Sequence, residues 1–170
     1  MKVALIGTHG TGKTVVVHDL VAQLKKLNLN VEFLGETVRN CPFPINEQAT
    51  KQTQEWIMYN QYVNEMVLED RCRLLICDRS ILDGYVYYTS LFEENSLLEL
   101  FVVEKIKTYK HLFRIPIKEG YLVDDGVRST KPEFQKRVDE QFDYLLDKLK
   151  IPFHNYERLS KTMEIIISDA

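Results

Sequence analysis

Short apolar runs alternate along this chain with longer segments in which apolar residues recur at helical spacing. The apolar runs predict strands at Val3–Ile6, Val31–Gly35, Arg73–Cys77, His111–Ile115 and Ile151–Tyr156. The periodic segments predict helices over about 13–27, 46–70, 81–110 in two parts broken near 94–96, and 131–150. Strands that alternate with helices indicate parallel strands with helical crossovers on both faces, which is a doubly wound α/β domain.

The helix predicted over 46–70 carries two kinds of surface. One face is apolar and is marked by Trp56, Tyr59, Val63 and Val67. Gln54, Gln61 and Glu65 are spaced by seven and four residues, so they share a face beside it. An exposed polar stripe is the favoured interpretation of these three residues.

The last segment, 159–168, allows two interpretations. Ile165–Ile167 favours a strand by composition, whereas Leu159, Met163 and Ile166 fit one face of a helix. Helix is the favoured prediction.

Length and charge narrow the function. A chain of 170 residues has the size of one domain, so residues 1–170 are predicted to form a single one. Its net charge is -3, whereas proteins that coat a nucleic acid polymer or a membrane carry an overall positive field. We therefore expect neither as a partner. No apolar run approaches the roughly 20 residues that cross a bilayer, and no secretion signal is recognisable, so we expect a cytoplasmic protein. Three cysteines without a CxxC pair, Cys41, Cys72 and Cys77, suggest neither disulfides nor zinc.

The segment GTHGTGKT, between the first strand and the first helix, matches the P-loop spacing Gly-x4-Gly-Lys-Thr. Glycines let the chain approach phosphates closely with its N–H groups inward, and the positive end of the helix adds to that field. Lys13 is expected to reach the β- and γ-phosphates of ATP, and the Thr14 hydroxyl to ligate Mg²⁺. The predicted nucleotide-binding residues are Gly7, Thr8, His9, Gly10, Thr11, Gly12, Lys13, Thr14 and Val15. The His9 side chain has two interpretations, contact with a phosphate or substrate and, favoured, an exposed position in the loop.

Charged residues follow the second and third strands, at the sheet edge where α/β proteins bind ligands. Glu36 could accept the proton of an attacking hydroxyl while Arg39 holds the anion that forms; a solvated ion pair is the alternative. Asp78 is placed to hold Mg²⁺ and Arg79 to contact phosphoryl or acceptor oxygens. Here the alternative is capping of the next helix by Asp78 or Ser80.

Together, GTHGTGKT, Glu36 with Arg39, and DRSILDGYVYY at 78–88 resemble the P-loop small-molecule kinases related to thymidylate kinase, deoxynucleoside kinases and the nicotinamide riboside kinase (AAA-like) domain. The resemblance covers most of the chain. It implies a three-layer α/β/α P-loop NTPase fold with a five-stranded parallel sheet in the order 2-3-1-4-5 and a helical lid. It also implies Mg²⁺ and acceptor roles for Asp78 and Arg79, and the role of base for Glu36.

The chain departs from these families in ways that affect the acceptor. Thr37 stands where deoxynucleoside kinases usually have proline, and the Asp-Pro-Gly element of thymidylate kinases is absent. Phosphorylation of a hydroxyl is therefore favoured over phosphorylation of a monophosphate. By similarity to the base-reading glutamine of deoxynucleoside kinases, Gln54 or Gln61 is a candidate to bind the acceptor.

The segment 114–137 resembles a lid, with Arg128 as the residue that closes over the transferring phosphate. It lacks the RxxxR spacing common in lids. A hairpin in which Tyr121–Val123 turns at Asp125–Gly126 is the alternative.

These features predict an ATP- and Mg²⁺-dependent kinase that acts on a small acceptor, most plausibly a nucleoside or similar metabolite. Lys13, Glu36, Asp78, Arg79 and Arg128 are the predicted catalytic residues. The alternatives are a nucleoside monophosphate kinase, in which Arg39 and Arg79 grip the acceptor's phosphate, and a P-loop ATPase module without a small acceptor. One apolar and aromatic cluster has two interpretations, core packing, which is favoured, and a homodimer face. Its residues are Tyr85, Tyr87, Tyr88, Leu91 and Phe92.

Overall fold

A parallel sheet forms the centre of the computed structural model, which describes residues 1–124 and 126–169. Its strands are β1 (Lys2–Ile6), β2 (Val31–Leu34), β3 (Leu74–Asp78), β4 (His111–Arg114) and β5 (His154–Asn155). They lie side by side in the order β2-β3-β1-β4-β5, and each neighbouring pair runs parallel. The predicted order 2-3-1-4-5 is therefore confirmed.

Helices cover both faces of the sheet. They are α1 (Lys13–Lys26), α2 (Lys51–Glu69), α3 (Ile81–Leu91), α4 (Ser96–Ile106), α5 (Pro132–Lys148) and α6 (Leu159–Ser168). Alternate residues of β1 point to opposite faces, as the pleat requires. Ala4 and Ile6 pack with α3, α4 and α5, whereas Val3 and Leu5 pack with α1 and α6. This alternation builds the predicted three layers and confirms that the segment 159–168 is a helix.

α2 begins later than predicted, and its apolar face is exposed. Thr50 and Thr53 form a capping box that starts the helix at Lys51, and Asn46–Gln48 is a separate 3₁₀ helix. Tyr59, Val63 and Val67 of the apolar face are 47%, 53% and 46% exposed.

Instead, Gln54, Gln61 and Glu65 of α2 are buried, so the exposed polar stripe favoured from their spacing was wrong. The physical reason is that distant residues supply partners for this face. Lys2 and Tyr109 bond to Glu65 inside the core, and buried polar groups that have such partners are tolerated.

Close approach of α2 and α3 depends on one glycine. A Cβ on Gly84 would fall on the Met58 side chain across the helix interface. Glycine in a helix interior costs about 1 kcal/mol relative to alanine, and here its absent side chain brings α2 against α3 beside the candidate site.

The segment expected to be a helical lid is mostly irregular. Residues 115–124 and 126–131 form neither helix nor strand, and the predicted lid becomes helical only at Pro132, the first residue of α5. Proline is favoured at that position because the first N–H groups of a helix have no intrahelical partner. The alternative hairpin is not formed by Tyr121–Val123, and the Asp125 of its predicted turn lies outside the described residues.

Within 1–124 and 126–169, no helix combines the length and the apolar composition needed to cross a membrane.

Candidate functional site

The phosphate loop links the end of β1 to the start of α1. Gly7, Gly10 and Gly12 have φ angles of 142°, 62° and 80°, a region that side-chain-bearing residues rarely adopt. A Cβ on Gly12 would also fall on the ring of Tyr121. The loop therefore needs these glycines, and it presents the N-terminal end of α1 as a cradle for an anion.

Lys13 is buried at the base of this cradle. Its Nζ donates to the Thr8 carbonyl and, at 3.1 Å, to Thr11 Oγ1. Burial and the nearby charge of Arg79 lower the pKa of Lys13 to about 7. A phosphate bound in the cradle would favour the charged form of this lysine. The Val15 side chain, in contrast, is 61% exposed on α1.

A hydroxyl and a carboxylate meet beside Lys13. Thr14 Oγ1 donates to Asp78 Oδ2 at 2.6 Å. Both are hard oxygen ligands of the kind Mg²⁺ prefers, and Mg²⁺ usually keeps several waters and phosphate oxygens besides one or two protein ligands. The pair fits Mg²⁺ in this respect, and the described residues contain no cluster of three His, Cys, Asp or Glu that would suggest another metal.

Glu36 lies just after β2, and the arginines of three segments gather around it. Arg79 Nε and Nη2 both contact Glu36 Oε1 at 2.7 Å. Arg39 Nε lies 3.2 Å and Arg128 Nη2 3.6 Å from Oε2. Burial alone would raise the pKa of Glu36, but the charges of Arg79, Arg128 and Lys13 outweigh it and lower that pKa to about 2. The Glu36 side chain is 4% exposed, so it is not the solvated partner of a surface ion pair.

The capping of α3 leaves Asp78 available for the site. Ser80 accepts a hydrogen bond from the Leu82 N–H, and Asp83 Oδ2 accepts one from the Ser80 N–H at 2.7 Å. Ser80 with Asp83, rather than Asp78, therefore caps the helix. Arg79 has a φ of 84°, a left-handed conformation that costs a non-glycine residue about 1–2 kcal/mol. This strain is stored where Arg79 reaches Glu36.

A cavity opens beside Glu36, lined by residues of α2, α3 and the predicted lid. Gln54 and Gln61 both border it, but they differ in their bonding. Gln61 Oε1 accepts from Thr37 at 2.6 Å, and its Nε2 donates to Glu65 at 2.7 Å and to the Arg79 carbonyl at 3.3 Å. The Gln54 amide has no hydrogen bond within the part of the chain described here. Of the two predicted acceptor-binding glutamines, Gln54 is thus the one with free bonding capacity.

A buried ion pair supports Gln61 from behind. Lys2 Nζ lies 2.9 Å from Glu65 Oε2, and the two side chains are 2% and 1% exposed. The Tyr109 hydroxyl donates to Glu65 Oε1, the same oxygen that accepts from Gln61. The cavity wall is thereby tied to the first strand.

The lid lies over the site. Arg128 Nη2 donates to Thr14 Oγ1 at 3.3 Å. Asn46 donates to the Val127 carbonyl at 2.7 Å, and Ser129 donates to Glu47 at 2.7 Å. Arg128 is therefore brought between the Thr14 hydroxyl and Glu36.

Three residues at the site were not predicted from sequence to belong to it, although Tyr87 was named there as a core or dimer-face residue. Tyr87 contacts the phosphate loop through the backbone N–H of His9, and Asp83 Oδ1 accepts from the Gly7 N–H at 3.2 Å. Gln135 of α5 donates to the His9 carbonyl at 2.7 Å. The Ser-x-x-Asp spacing signals a capping box and could have indicated Asp83, whereas no local pattern marks Gln135.

His9 itself is buried, so the favoured exposed position was wrong. Its ring lies between Tyr87 and Phe134, with centroid distances of 6.1 and 5.4 Å. Packing from α3 and α5, both distant in sequence, covers it.

Comparisons with known proteins agree with this fold. A family model described as an AAA domain matches residues 2–162. No curated protein matches the chain.

Solved structures share the fold over nearly the whole length. Deoxyadenosine kinase from M. mycoides, with the products dCMP and a flexible dCDP bound, is 12% identical with a TM-score of 0.63, covering 99% of this chain and 98% of that one. The same enzyme with bound dATP is 13% identical with a TM-score of 0.65 at the same coverage. Thymidylate kinase from Ehrlichia chaffeensis is 20% identical with a TM-score of 0.66, covering 99% and 97%. At identities this low, the similarity shows a common P-loop kinase-like fold and no more.

Proposed function

Since this chain belongs to the AAA domain family, we propose that it is an ATP-dependent phosphotransferase that phosphorylates a hydroxyl of a nucleoside or nucleoside-like metabolite. One observation carries the proposal. The Glu36 carboxylate is held by arginines where the phosphate cradle and the cavity meet, because both spaces are bordered by Glu36, Arg79 and Arg128.

Each group has a role that follows from its position. The glycine loop and Lys13 would bind the phosphates of ATP, and Thr14 and Asp78 would hold Mg²⁺. The metal would neutralise charge on the phosphate oxygens. Arg79 and Arg128 stay beside Glu36 and also border the phosphate cradle, so their charges stabilise the transition state of the transferring group.

Glu36 acts mainly by orientation. A carboxyl with a pKa of about 2 is a weak base, far from the value near operating pH that suits proton transfer. The transition state of phosphoryl transfer is loose in most analyses, and positioning dominates its catalysis. Glu36 therefore accepts a hydrogen bond from the acceptor hydroxyl, aims it at the γ-phosphorus and receives its proton late.

The acceptor is a small polar molecule with a flat apolar part. Apolar and polar side chains both border the cavity, as in sites that bind small organic ligands. Met58, Ile57 and Tyr87 supply apolar and aromatic wall, and Gln54 supplies an amide that can pair with a base edge. The likeness to deoxyadenosine kinase supports a nucleoside as this acceptor.

A nucleoside monophosphate is the second candidate. The Arg39 side chain is 39% exposed, and its Nε lies 3.2 Å from Glu36 Oε2, so it brings a third arginine to this carboxylate. Such a charge would suit a phosphate on the acceptor. The likeness to thymidylate kinase supports this alternative.

A panel of acceptors separates these candidates. ADP formation from ATP and Mg²⁺ is measured with deoxyadenosine, deoxycytidine, thymidine, nicotinamide riboside, dCMP and dTMP. Turnover that depends on a nucleoside supports the proposal, and turnover that depends only on dCMP or dTMP supports the monophosphate kinase. ATP hydrolysis indifferent to all six would instead assign an ATPase.

Glu36→Gln is the matched variant, since it keeps the shape of the side chain and removes its charge. We expect near-normal ATP affinity and a loss of acceptor-dependent turnover of about 100-fold or more. An unchanged rate would remove Glu36 from the reaction.

A further inference from the structure

His9 stands at the junction of two spaces. This residue borders both the cavity and the phosphate cradle. The His9 backbone is held on both sides, because its N–H donates to the Tyr87 hydroxyl at 3.0 Å and its carbonyl accepts from Gln135 at 2.7 Å. The imidazole is thus fixed in position before any ligand binds.

The two ring nitrogens of His9 have different surroundings. Nδ1 lies 2.8 Å from the Tyr87 hydroxyl and 3.4 Å from Thr8 Oγ1. Nε2 is buried and has no hydrogen-bond partner among residues 1–124 and 126–169. A buried polar atom without a partner costs about 1–3 kcal/mol, so its presence beside a ligand cavity calls for a function.

His9 carries one ring proton. Burial and the charges of Arg79 and Lys13 lower the pKa of His9 to about 4, which keeps the ring neutral near pH 7. Burial also raises the pKa of Tyr87, so that phenol keeps its own proton. The tautomer of a neutral histidine follows from the bond that its other nitrogen makes.

Tyr87 decides which nitrogen bears the proton. Its hydroxyl oxygen already accepts from the His9 N–H, and Nδ1 is the acceptor that the described residues offer to its proton. The Thr8 hydroxyl gives its proton to the Gln135 carbonyl at 3.1 Å, and its 3.4 Å contact with Nδ1 is at the limit of a hydrogen bond. Nδ1 therefore accepts from Tyr87, and Nε2 bears the hydrogen.

We propose that His9 is a specificity-determining residue, whose Nε2–H donates a hydrogen bond to an oxygen of the phosphoryl acceptor. The proposal rests on the proposed function and deepens it. A donor placed on the attacking oxygen would withdraw electrons from it, so the contact serves an oxygen that is not phosphorylated, such as a second sugar hydroxyl. An acceptor with an amine at that point would set two donors against each other, and the site would reject it.

The first test needs no activity. Long-range proton–nitrogen NMR correlation on protein with ¹⁵N-labelled histidine reports which ring nitrogen bears hydrogen, and the His9 signals are assigned by their loss in His9→Asn. We expect protonation at Nε2 at pH 7 in the wild-type protein. Tyr87→Phe removes the bond to Nδ1 and should shift the population toward the other tautomer.

The second test separates the two ring nitrogens by substitution. His9→Asn places an amide near the position of Nδ1 and removes the donor at Nε2, whereas His9→Gln returns an amide near Nε2. Calorimetry with deoxyadenosine and with deoxycytidine, together with steady-state kinetics, measures the effect. We expect His9→Asn to raise the acceptor KM about 10- to 100-fold, as for loss of one buried hydrogen bond, with the ATP KM changed less than about threefold. His9→Gln should recover part of the loss.

The outcomes distinguish the inference from the function on which it rests. A ring protonated at Nδ1, with nucleoside binding intact, overturns the inference alone. Equal losses of ATP and nucleoside affinity in His9→Asn also overturn the inference, because they would show that His9 only maintains the conformation of the phosphate loop. An Nε2-protonated ring in a wild-type protein that binds neither nucleoside overturns the acceptor contact together with the proposed function.

Discussion

Replacement of Lys2 by methionine tests the buried ion pair behind the site. Methionine fills much of the volume of the lysine stem, so the change removes mainly charge. Lys2 lies 2.9 Å from Glu65, whose side chain is 1% exposed, and a buried carboxylate that loses its partner typically costs about 3–5 kcal/mol. Tyr109 and Gln61 still donate to Glu65, so we expect the free energy of unfolding to fall by about 3 kcal/mol, the low end of that range.

The loss should depend on pH in a defined direction. Burial raises the pKa of Glu65, against the opposing charge of Lys2. Without Lys2 this pKa rises further, so the folded variant binds a proton that the unfolded chain has already released. The deficit of Lys2→Met should therefore be smaller at pH 5 than at pH 8.

Urea unfolding gives the measurement, followed by the fluorescence of Trp56, the single tryptophan, which lies on the same helix as Glu65. Lys107→Met is the control, because Lys107 and Glu104 are 63% and 57% exposed and such pairs contribute about 0–1 kcal/mol. The double variant Lys2→Met/Glu65→Gln should regain more than half of the loss, since no unpaired charge remains. A deficit in Lys2→Met no larger than in Lys107→Met would refute the reasoning.

Three further predictions concern the ligand sites directly. Lys13→Ala should lower turnover at least about 100-fold because charge-assisted contacts to the transferring group are lost; near-normal activity would remove Lys13 from the mechanism, and Lys13→Arg controls for charge alone. Gln54→Ala should raise the KM of the nucleoside acceptor and leave the free energy of unfolding in urea nearly unchanged. Gln61→Ala should raise this KM and also lower the free energy of unfolding by about 1–3 kcal/mol, because the buried partners of Gln61 lose their bonds. A larger loss of stability in Gln54→Ala than in Gln61→Ala would contradict the bonding described. Gly12→Ala should weaken ATP binding, measured by calorimetry, by about tenfold or more, through backbone strain and a collision with the lid. Gly120→Ala has a similar φ of 79° with open space around it, so equal effects of the two variants would leave no role for the collision.

The sequence by itself determined the order of elements and the phosphate loop. Strand and helix periods depend on neighbours within a few residues, so the apolar runs located β1 through β5 without knowledge of the rest of the chain. The P-loop spacing is equally local, because its glycines are required by the backbone conformation of one short turn. Glu36, Asp78 and Arg79 could be assigned to one site since parallel strands end at a common edge.

Only the tertiary structure decided which polar faces are buried. Glu65 was predicted to lie at the surface because its partners Lys2 and Tyr109 are 63 and 44 residues away along the chain. Gln61 was predicted there because Thr37, which bonds to it, is 24 residues away. His9 read as exposed because its cover comes from α3 and α5. Burial of a polar group is set by whether distant segments supply hydrogen bonds to it, and no local period carries that information.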